Sequence, residues 1–211
     1  MGDHVVTKGD DGVNQTDSNR ERIMEVAKIE FGTQGYKDAS TNAIYPRANV
    51  SKGLIFKLFK SKAGLFYAVF EQALADMLEA LHKFDLAPYD DVFEKIVQIT
   101  LWTHEYAHRH PFDTKILLEG VGNPPKGLEA KIAGHLNELM QFSVRYFFDS
   151  LPMDNIGSEY TKSDVINYLE IGIAGLQARY VNRELTVEYM DSIRDESIRF
   201  LKTLLRGMEK K

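Results

Sequence analysis

The sequence predicts an all-α protein in two parts, a small N-terminal helical domain and a larger helical body. Apolar residues recur at helical spacing in several segments, and capping residues, glycines and prolines separate these segments. No segment alternates apolar and polar residues as a half-buried strand does. With 211 residues, 44% of them hydrophobic, the chain has enough apolar surface for one sizeable core or two modest ones.

The N-terminal part begins with a segment for which no regular structure is predicted. The first 17 residues are polar, rich in Gly and Asp and without periodicity, so we expect a disordered tail over residues 1–17. Ser18 and Glu21 then have the spacing of a capping box. Apolar residues at helical spacing predict a first helix from about Asn19 to Gln34, which Gly35 ends.

Two short helices separated by a tight turn are predicted between Ala39 and Lys62, which is the arrangement of a helix-turn-helix. Thr41 is a suitable N-cap for the first helix, and Asn49 tolerates the left-handed conformation that the turn requires. Ser51 is placed to cap the second helix, which we expect to end near Phe59.

Charge is distributed unevenly along the chain. The net charge of −5 argues by itself against a nucleic-acid partner, but residues 18–66 hold nine Lys or Arg against four Asp or Glu, and residues 67–211 hold sixteen against twenty-three. No acidic residue occurs between Ala39 and Phe70, where the basic residues are Arg47, Lys52, Lys57, Lys60 and Lys62. A phosphate backbone favours this imbalance, so the basic segment is predicted to face DNA.

The basic segment also carries a family pattern. The sequence VSKGLIFKLFKSK, which ends at Lys62, follows an FGxxGY pattern that begins at Phe31 and a TxxI step that begins at Thr41. From about Arg20 to Phe70, the chain resembles the DNA-binding domain of TetR-family transcriptional repressors. The resemblance implies an all-helical homodimer that binds a palindromic double-stranded DNA operator and is released from it by a small molecule.

On this resemblance, residues 18–66 form the DNA-binding domain and residues 67–211 form the domain that binds the effector and dimerises. The implied function is that of a ligand-responsive transcriptional regulator, a repressor, without enzyme activity, cofactor or metal. The chain lacks cysteine and any run of eighteen apolar residues, so we expect a cytoplasmic protein with no membrane partner.

Seven residues of the helix-turn-helix are predicted to contact DNA. Lys52 and Lys57 lie five residues apart on the second helix and Ser51 lies at its start, where a recognition helix meets base edges. Thr41 and Lys62 lie at helix N-termini, whose backbone amides can receive phosphates. The predicted DNA-binding residues are Thr41, Arg47, Ser51, Lys52, Phe56, Lys57 and Lys62.

The chain departs from the family pattern at four positions. Tyr45 and Pro46 stand where the family usually has alanine and a polar residue, and Asn49 stands where it usually has glycine. Pro46 is expected to kink or shorten the first helix near residues 42–44, and Tyr45 to point outward or to open the crossing of the two helices. Phe56 stands where a tyrosine hydroxyl often meets a phosphate, a bond that phenylalanine cannot make.

The body is predicted to consist of amphipathic helices. The first of them, capped by Ser61, has a broad apolar face and would join the two parts of the protein. Thr161 and Asp164 have capping-box spacing before a later helix. The expected helices run from about Lys62 to His82, Asp91 to His110, Phe112 to Val121, Pro124 to Ser150, Thr161 to Val181 and Thr186 to Met208.

Several residues of the body are candidates for the lining of an effector cavity. Aromatic residues at helical spacing are more often plain core, and only the family resemblance favours a pocket here. The candidate pocket residues are Trp102, Tyr106, Phe112, Leu118, His135, Phe142, Phe147 and Tyr168. A small molecule bound by these side chains would be apolar or aromatic.

The last two helices are the candidate homodimer face. Small residues from Gly172 to Gly175 allow another helix to approach closely, either from a second copy of the chain or from the same one.

Two alternative functions remain open from the sequence. His104 and His108 match H-E-x-x-H, in which two histidines four residues apart bind zinc and the glutamate acts as base, so a metal-dependent hydrolase is one alternative. The helix ends before Pro111 and no familiar third-ligand motif follows it, which argues against catalysis. The other alternative is an interaction module whose impaired helix-turn-helix no longer reads DNA.

Overall fold

The computed structural model describes residues 10–88, 92–135, 151, 153–180 and 187–210, and most of these residues are helical. The named helices are α1 Asp10–Asp38, α2 Thr41–Arg47, α3 Lys52–Phe59, α4 Lys62–His82, α5 Val92–Arg109, α6 Pro111–Gly122, α7 Lys162–Tyr180 and α8 Val187–Arg206. Residues 129–135 are helical as well. Over the described ranges there is no β-strand, only an isolated bridge between Ile156 and Glu209. The all-α prediction is confirmed.

The chain divides into two compact units. The first unit comprises the chain up to Leu81 together with His110–Gly134, and the second comprises His82–Arg109 together with the chain from His135 onward. This division differs from the predicted boundary at residue 66, because nearly all of α4 and the whole of α6 belong to the first unit. The polypeptide therefore passes between the units three times, and α6 begins just after the second passage.

The core of the first unit is formed by α1, α2, α3 and α4. The ring of Phe66 packs edge-on against the rings of Phe31 and Tyr36, with centroid separations of 5.3 and 5.2 Å. Other fully buried side chains in this unit include Ile23, Ala27, Ile44, Ile55, Leu65, Phe70 and, from α6, Ile116. Full burial of an apolar side chain of this size contributes roughly 1.5–3 kcal/mol, so the apolar stripe of each helix holds the unit together.

The first helix is longer than the sequence pattern predicts. It begins at Asp10 rather than Asn19, so residues 10–17 of the predicted tail are helical and the capping box at Ser18 lies inside the helix. Extending an existing helix costs much less than starting a new one. The predicted break at Gly35 is confirmed, because Gly35 leaves the helical conformation at φ 78° and ψ 164°, and a short helical segment follows it to Asp38.

Serine side chains cap both helices of the helix-turn-helix. The Ser51 hydroxyl accepts a hydrogen bond from the Leu54 N–H at 3.3 Å, which confirms the predicted cap of α3. The cap of α2 is Ser40 and not Thr41, because Ser40 has extended backbone angles and its hydroxyl accepts from the Asn42 N–H at 3.2 Å. Thr41 is already the first helical residue.

The turn between α2 and α3 accommodates the unusual residues of this chain. Asn49 has φ 52°, the left-handed conformation that was predicted. α2 continues through Pro46 to Arg47, so the shortening expected near residues 42–44 does not occur. Only one turn of helix precedes the proline, and its missing N–H therefore removes a single hydrogen bond, to the carbonyl of residue 42. Tyr45 is half-buried.

The second unit has a core built by α5, α7 and α8. Leu169 and Leu201 are fully buried in it, and Arg194 of α8 forms an ion pair with Glu94 of α5 at 3.1 Å. Its other buried apolar residues are Phe93, Ile96, Val97, Leu101, Leu151, Ile156, Val165, Leu176, Ile193, Leu205 and Met208. These side chains come from all three helices and from the segments that flank them, so the unit has one continuous core.

The start of α7 confirms the capping box predicted at Thr161. The Thr161 N–H donates to a carboxylate oxygen of Asp164 at 2.8 Å, and the Asp164 N–H donates to the Thr161 hydroxyl at 3.2 Å. Hydrogen bonds from Thr161 lower the pKa of the Asp164 carboxyl. The helix predicted from Pro124 begins later, at residue 129, and its continuation to Ser150 lies outside the described residues, as does the predicted start of the last helix at Thr186.

α6 packs closely on α1 and α4 at two glycines. A Cβ added at Gly32 of α1 would lie 2.6 Å from the ring of Phe112, and a Cβ added at Gly120 of α6 would lie 2.6 Å from the ring of Phe70. Such separations are shorter than van der Waals contact, so each glycine is required by the ring that covers it.

Gly120→Ala should therefore destabilise the protein. The added methyl group must displace the fully buried ring of Phe70, and overpacking of this kind costs about 1–3 kcal/mol. Gly122→Ala is the matched control on the same helix, because a Cβ at Gly122 meets no atom of the described residues within 4 Å. Urea unfolding of both variants measures the difference. Equal stability of the two variants would show that the close approach at Gly120 is not a packing constraint.

Candidate nucleic-acid interface

The exposed side of α3 is basic. Ile55 and Phe59 of α3 are buried, at 0% and 5% exposure, so the opposite side of the helix faces solvent. The exposed residues of α3 and of its C-cap are Lys52, Gly53, Phe56, Lys57 and Lys60. At about 100° per residue, these five positions lie within one arc of about 140°, which we name the α3 surface. Three positive charges share this arc, and α3 contains no acidic residue.

Lys52 and Lys57 differ from the other predicted DNA-binding cations. Both are exposed, and neither forms an ion pair or a side-chain hydrogen bond with any described residue. Lys60, which the sequence analysis did not include among the DNA-binding residues, lies on the same surface and donates from Nζ to the Lys57 carbonyl at 3.3 Å. The signal for Lys60 was its place in the acid-free basic stretch.

Arg47 has a structural partner. Its guanidinium lies 3.4 Å from the carboxylate of Glu30 in α1, and Glu30 is only 8% exposed. The same carboxylate accepts a hydrogen bond from the N–H of Ser40, the cap of α2, at 3.1 Å. Glu30 thus connects both ends of α2 to α1. The sequence analysis did not find this role, because the partners lie ten and seventeen residues from Glu30 in the chain.

Lys62 is also held by the protein itself. Its Nζ donates to the Lys37 carbonyl at 3.1 Å and lies 4.7 Å from the centroid of the Tyr36 ring. These contacts fix the start of α4 to the C-terminal end of α1. The remaining predicted DNA-binding residues lie at or near helix starts or on the α3 surface: Thr41 is half-buried, Ser51 is exposed, and Phe56 is 39% exposed.

α6 makes polar contacts along α1 that the sequence did not reveal. Asp113 is 2% exposed and pairs with Lys28 at 2.6 Å, and Lys115 donates to the Thr33 carbonyl at 3.0 Å. Both carboxylate oxygens of Glu119 accept from the Tyr36 N–H, each at 2.8 Å, immediately after the break at Gly35. We name these three contacts the α1–α6 clasp. It binds α6 to the segment that leads into the helix-turn-helix.

The structure brings together some of the predicted pocket residues. The Trp102 ring lies 5.3 Å from the ring of Tyr106 and 6.1 Å from the ring of Phe84, a residue that the sequence analysis did not include. Phe84 also lines a cleft of about 490 Å³ formed by residues 82–87 and Lys95, all of them in the second unit. Tyr106 is 7% exposed and Trp102 is half-buried.

The other described pocket candidates belong to α6, to α7 and to the helical segment of residues 129–135. Phe112 and Leu118 belong to α6 in the first unit, where Phe112 covers Gly32 and Leu118 is 67% exposed. Tyr168 is 44% exposed, and its ring lies 6.4 Å from the ring of Tyr160. His135 is half-buried. The two remaining candidates, Phe142 and Phe147, lie outside the described residues.

A second cleft lies within the first unit, between α1 and α4. Its volume is about 430 Å³, and Met24, Val69 and Ala73 form its apolar part. The polar residues that line it are Glu21, Glu25, Lys28, Gln72, Asp76 and Asp113. Asp113 is paired with Lys28, and Gln72 donates to Asp76 at 2.8 Å, so part of this polar lining is already hydrogen-bonded within the protein.

The H-E-x-x-H residues do not form a recognisable metal centre in the part of the chain that the structure describes. His104 is half-buried, and its Nε2 has no hydrogen-bond partner among the described residues, whereas His108 is exposed. No group of three His, Cys, Asp or Glu side chains in these ranges is placed to hold a metal ion. The described residues thus supply no third ligand to the two histidines.

The burial of His104 should make the stability of the protein depend on pH. Burial lowers the pKa of His104, so the unfolded chain binds a proton at this residue more readily than the folded chain does. The free energy of unfolding should therefore decrease as the pH falls below the unfolded pKa of about 6.5, and this contribution is fully present above it. Thermal unfolding between pH 8 and pH 5.5 measures the effect.

His104→Gln removes the titrating group, and the decrease in Tm at low pH should become smaller in this variant. His108→Gln is the matched control, because His108 is exposed on the same helix and its replacement should leave the pH profile of the wild type unchanged. The same pH profile in wild type and in His104→Gln would contradict the assignment.

Among the described residues, no helix combines the length and apolar character that crossing a membrane requires.

The comparisons with known proteins agree with the helix-turn-helix. The signature described as "Bacterial regulatory proteins, tetR family" matches residues 23–69, which contain α2, α3 and the buried part of α1. The HTH-type transcriptional regulator UidR of Escherichia coli is 31% identical over 109 residues, which are 50% of this chain and 53% of that protein. The chain therefore spans about half the length of the curated relative that it matches.

Solved structures of low sequence identity share the fold over most of the chain. A putative tetR family transcription regulator from a Shewanella species superimposes with a TM-score of 0.64 at 15% identity, covering 92% of this chain and 99% of that one. Salmonella enterica GusR superimposes with a TM-score of 0.60 at 22% identity, covering 89% and 95%. The hydrolase alternative receives no support from these similarities. The resemblance predicted from the sequence is confirmed over residues 23–69, which match the TetR-family signature, and the fold of the chain is that of solved TetR-like regulators.

Proposed function

We propose that this protein is a ligand-responsive transcriptional repressor that binds a two-fold-related DNA operator as a dimer and releases it when a small molecule binds. The observation that carries the proposal is the α3 surface. Lys52, Lys57 and Lys60 lie on one exposed arc of the second helix of a helix-turn-helix, inside a stretch without acidic residues. Such a helix enters the major groove with its exposed side against the base edges.

The predicted DNA-binding residues divide into two roles on this proposal. Lys52 and Lys57, which have no ion-pair partner among the described residues, are available to neutralise phosphates. Arg47 and Lys62 are bound to Glu30 and to the Lys37 carbonyl, so their main role is to orient α2 and α4. Ser51 caps α3, and its neighbouring backbone amides lie at the helix end that favours negative charge.

Lys52→Ala and Lys57→Ala should each weaken binding to the operator without unfolding the protein, because both side chains are exposed. Removing one ion pair between a lysine and a phosphate should make the slope of log affinity against log salt shallower by about 0.9. In a symmetric dimer, each substitution removes two such ion pairs, so the change in slope should be about twice as large. The operator is first selected from random duplex DNA with the wild-type chain, and affinity is then measured at several salt concentrations.

Lys126→Ala is the control for this experiment, since it removes the same charge from an exposed site in the segment after α6. It should leave both the affinity and the salt slope near the wild-type values. Wild-type affinity and slope in both α3 variants would defeat the DNA-binding role of the α3 surface.

The dimer is proposed to form through α7 and α8. Exposed apolar side chains on these helices are Tyr168, Ile171 and Phe200, at 44%, 62% and 42% exposure. A Cβ added at Gly172 would lie 2.9 Å from the Phe200 ring of the same chain, whereas no described atom lies within 4 Å of one added at Gly175. Gly175 and Ile171 are therefore the residues that favour close approach by a second copy.

The effector is proposed to bind in the second unit near the aromatic row of Phe84, Trp102 and Tyr106. The centroid of the Trp102 ring lies 5.3 Å from that of Tyr106 and 6.1 Å from that of Phe84, and Phe84 also lines the cleft of residues 82–87. A planar apolar or aromatic molecule is the class of ligand that such rings bind best.

Effector binding is proposed to reach the DNA through α4 and α6. α4 ends where the chain enters the second unit, and α6 begins directly after the chain has returned from it. The α1–α6 clasp then connects α6 to the residue that follows the break in α1, close in sequence to the helix-turn-helix. A displacement of α6 would be transmitted to α3 through α1 and α2, because α1 packs on α2 and α2 packs on α3.

Glu119→Gln should weaken the coupling between effector and operator more than it weakens operator binding alone. The substitution replaces the charged acceptor of the Tyr36 N–H with a neutral one, which reduces the strength of the clasp but keeps its shape. Operator affinity is measured in wild type and variant, with and without an aromatic compound that releases the wild-type protein from the operator. Couplings of this kind are typically about 1–3 kcal/mol.

Glu129→Gln is the control, because Glu129 is exposed and accepts only a local hydrogen bond from the Gly127 N–H. An undiminished coupling in Glu119→Gln would exclude the clasp from the switch. If no compound changes the operator affinity of the wild type, the protein is a constitutive DNA binder.

A further inference from the structure

Phe56 is an exposed aromatic residue in the middle of a basic surface. It is 39% exposed, although Ile55 and Phe59 of the same helix already supply the core contacts of α3. At about 100° per residue, Phe56 lies about 40° from Lys52 and from Lys60 on the α3 surface. No described acidic residue belongs to this surface, so Phe56 is an apolar group surrounded by cations that face outward.

The major groove offers only one apolar group that the Phe56 side chain could contact. Base edges there present hydrogen-bond donors and acceptors, and the only apolar group among them is the C5 methyl of thymine. Phenylalanine has no hydroxyl, so Phe56 cannot donate to a phosphate. A protein partner is disfavoured at this place, because lysine is depleted in protein–protein interfaces and three lysines share the α3 surface.

Gly53 provides the space for close approach. Among the described atoms, a Cβ added there would meet only the Ser51 hydroxyl, at 4.0 Å, so no described neighbour requires a glycine at this position. Gly64 is the contrasting case, because a Cβ there would lie 2.1 Å from the Phe59 carbonyl oxygen. Glycine within a helix costs about 0.5–1 kcal/mol relative to alanine. Gly53 lies one turn before Phe56, and it lets the base edges come near this part of α3.

We propose that Phe56 reads the C5 methyl group of a thymine in each half-site of the operator, and that it is a specificity-determining residue. This inference rests on the proposed DNA-binding function. In it, Lys52 and Lys57 bind phosphates and position α3, and the aromatic ring of Phe56 excludes water from one methyl group. A cytosine at the same position offers no methyl group and presents an amino donor instead.

Replacement of thymine by uracil tests the proposal, because it removes only the methyl group and keeps base pairing and the O4 acceptor. The probe is the duplex operator selected with the wild-type chain, with the thymines changed to uracil one position at a time, symmetrically in both half-sites. At one position, the wild-type protein should bind the uracil duplex about fourfold more weakly per half-site, which corresponds to about 0.8 kcal/mol for one buried methyl.

Two variants show whether Phe56 is the residue that senses the methyl group. Phe56→Ala should bind the thymine and uracil duplexes with equal affinity, and Phe56→Leu, which keeps an apolar side chain, should retain a preference for thymine. Ile29→Ala is the matched control, because Ile29 is 40% exposed on α1, away from the α3 surface, and should discriminate like the wild type.

Different results would contradict the role of Phe56 and the DNA-binding function of the protein. Selective operator binding that is insensitive to uracil at every position would overturn the inference and leave the DNA-binding function intact. A Phe56→Ala protein that still prefers thymine would also overturn it. Failure of the wild-type chain to select any duplex would overturn the proposed function itself. If Phe56→Ala does not fold, the test uses Phe56→Leu and compares the loss of affinity on replacing thymine by uracil. A smaller loss in Phe56→Leu than in the wild type supports the proposal, and an equal loss counts against it.

Discussion

The packing surface of α1 is the constraint on which the first unit depends. One side of the helix buries Ile23, Ala27 and Phe31 against the helix-turn-helix and α4, and the neighbouring carboxylate of Glu30 holds both ends of α2. Another side receives α6 through Gly32 and the α1–α6 clasp. Because these contacts share one helix, the orientation of α3 cannot change without a change in what α1 touches. Interiors packed at this density move between discrete arrangements and do not deform continuously.

The buried ion pairs of this unit are better understood as orienting contacts than as sources of stability. Glu30 and Asp113 are 8% and 2% exposed, so removing either carboxylate from water costs several kcal/mol before any partner compensates. Each carboxylate orients a helix: Glu30 fixes α2 relative to α1, and Asp113 fixes the start of α6 on α1. On the proposed function, a change of shape on ligand binding would break these contacts and re-form them in a defined geometry.

The unusual residues of the helix-turn-helix illustrate how tertiary packing overrides local propensity. Pro46 would be expensive in the middle of a long helix, but α2 has only seven residues and ends at Arg47, which Glu30 holds. Asn49 adopts φ 52°, which asparagine tolerates better than other residues with a side chain. With the turn closed and α3 capped by Ser51, the exposed arc of α3 is presented much as the sequence pattern predicted.

The sequence by itself determined the features that depend on near neighbours. The caps at Ser51 and Thr161, the break at Gly35 and the left-handed Asn49 each rest on bonds or backbone angles within a few residues, so their signals are local. The acid-free basic stretch was equally visible, because charge is read directly from composition.

Only the tertiary structure decided which cations are free and where α6 belongs. Arg47 and Lys62 appeared equivalent to Lys52 and Lys57 in the sequence, yet they are engaged by Glu30 and the Lys37 carbonyl, seventeen and twenty-five residues away. Phe112 and Leu118 looked like body residues but lie in the first unit. The hydrogen bonds between Glu119 and Tyr36 join residues 83 apart in the chain. Periodicity and capping describe one helix at a time, whereas these pairings are fixed by which helices pack together, and that depends on the whole buried surface.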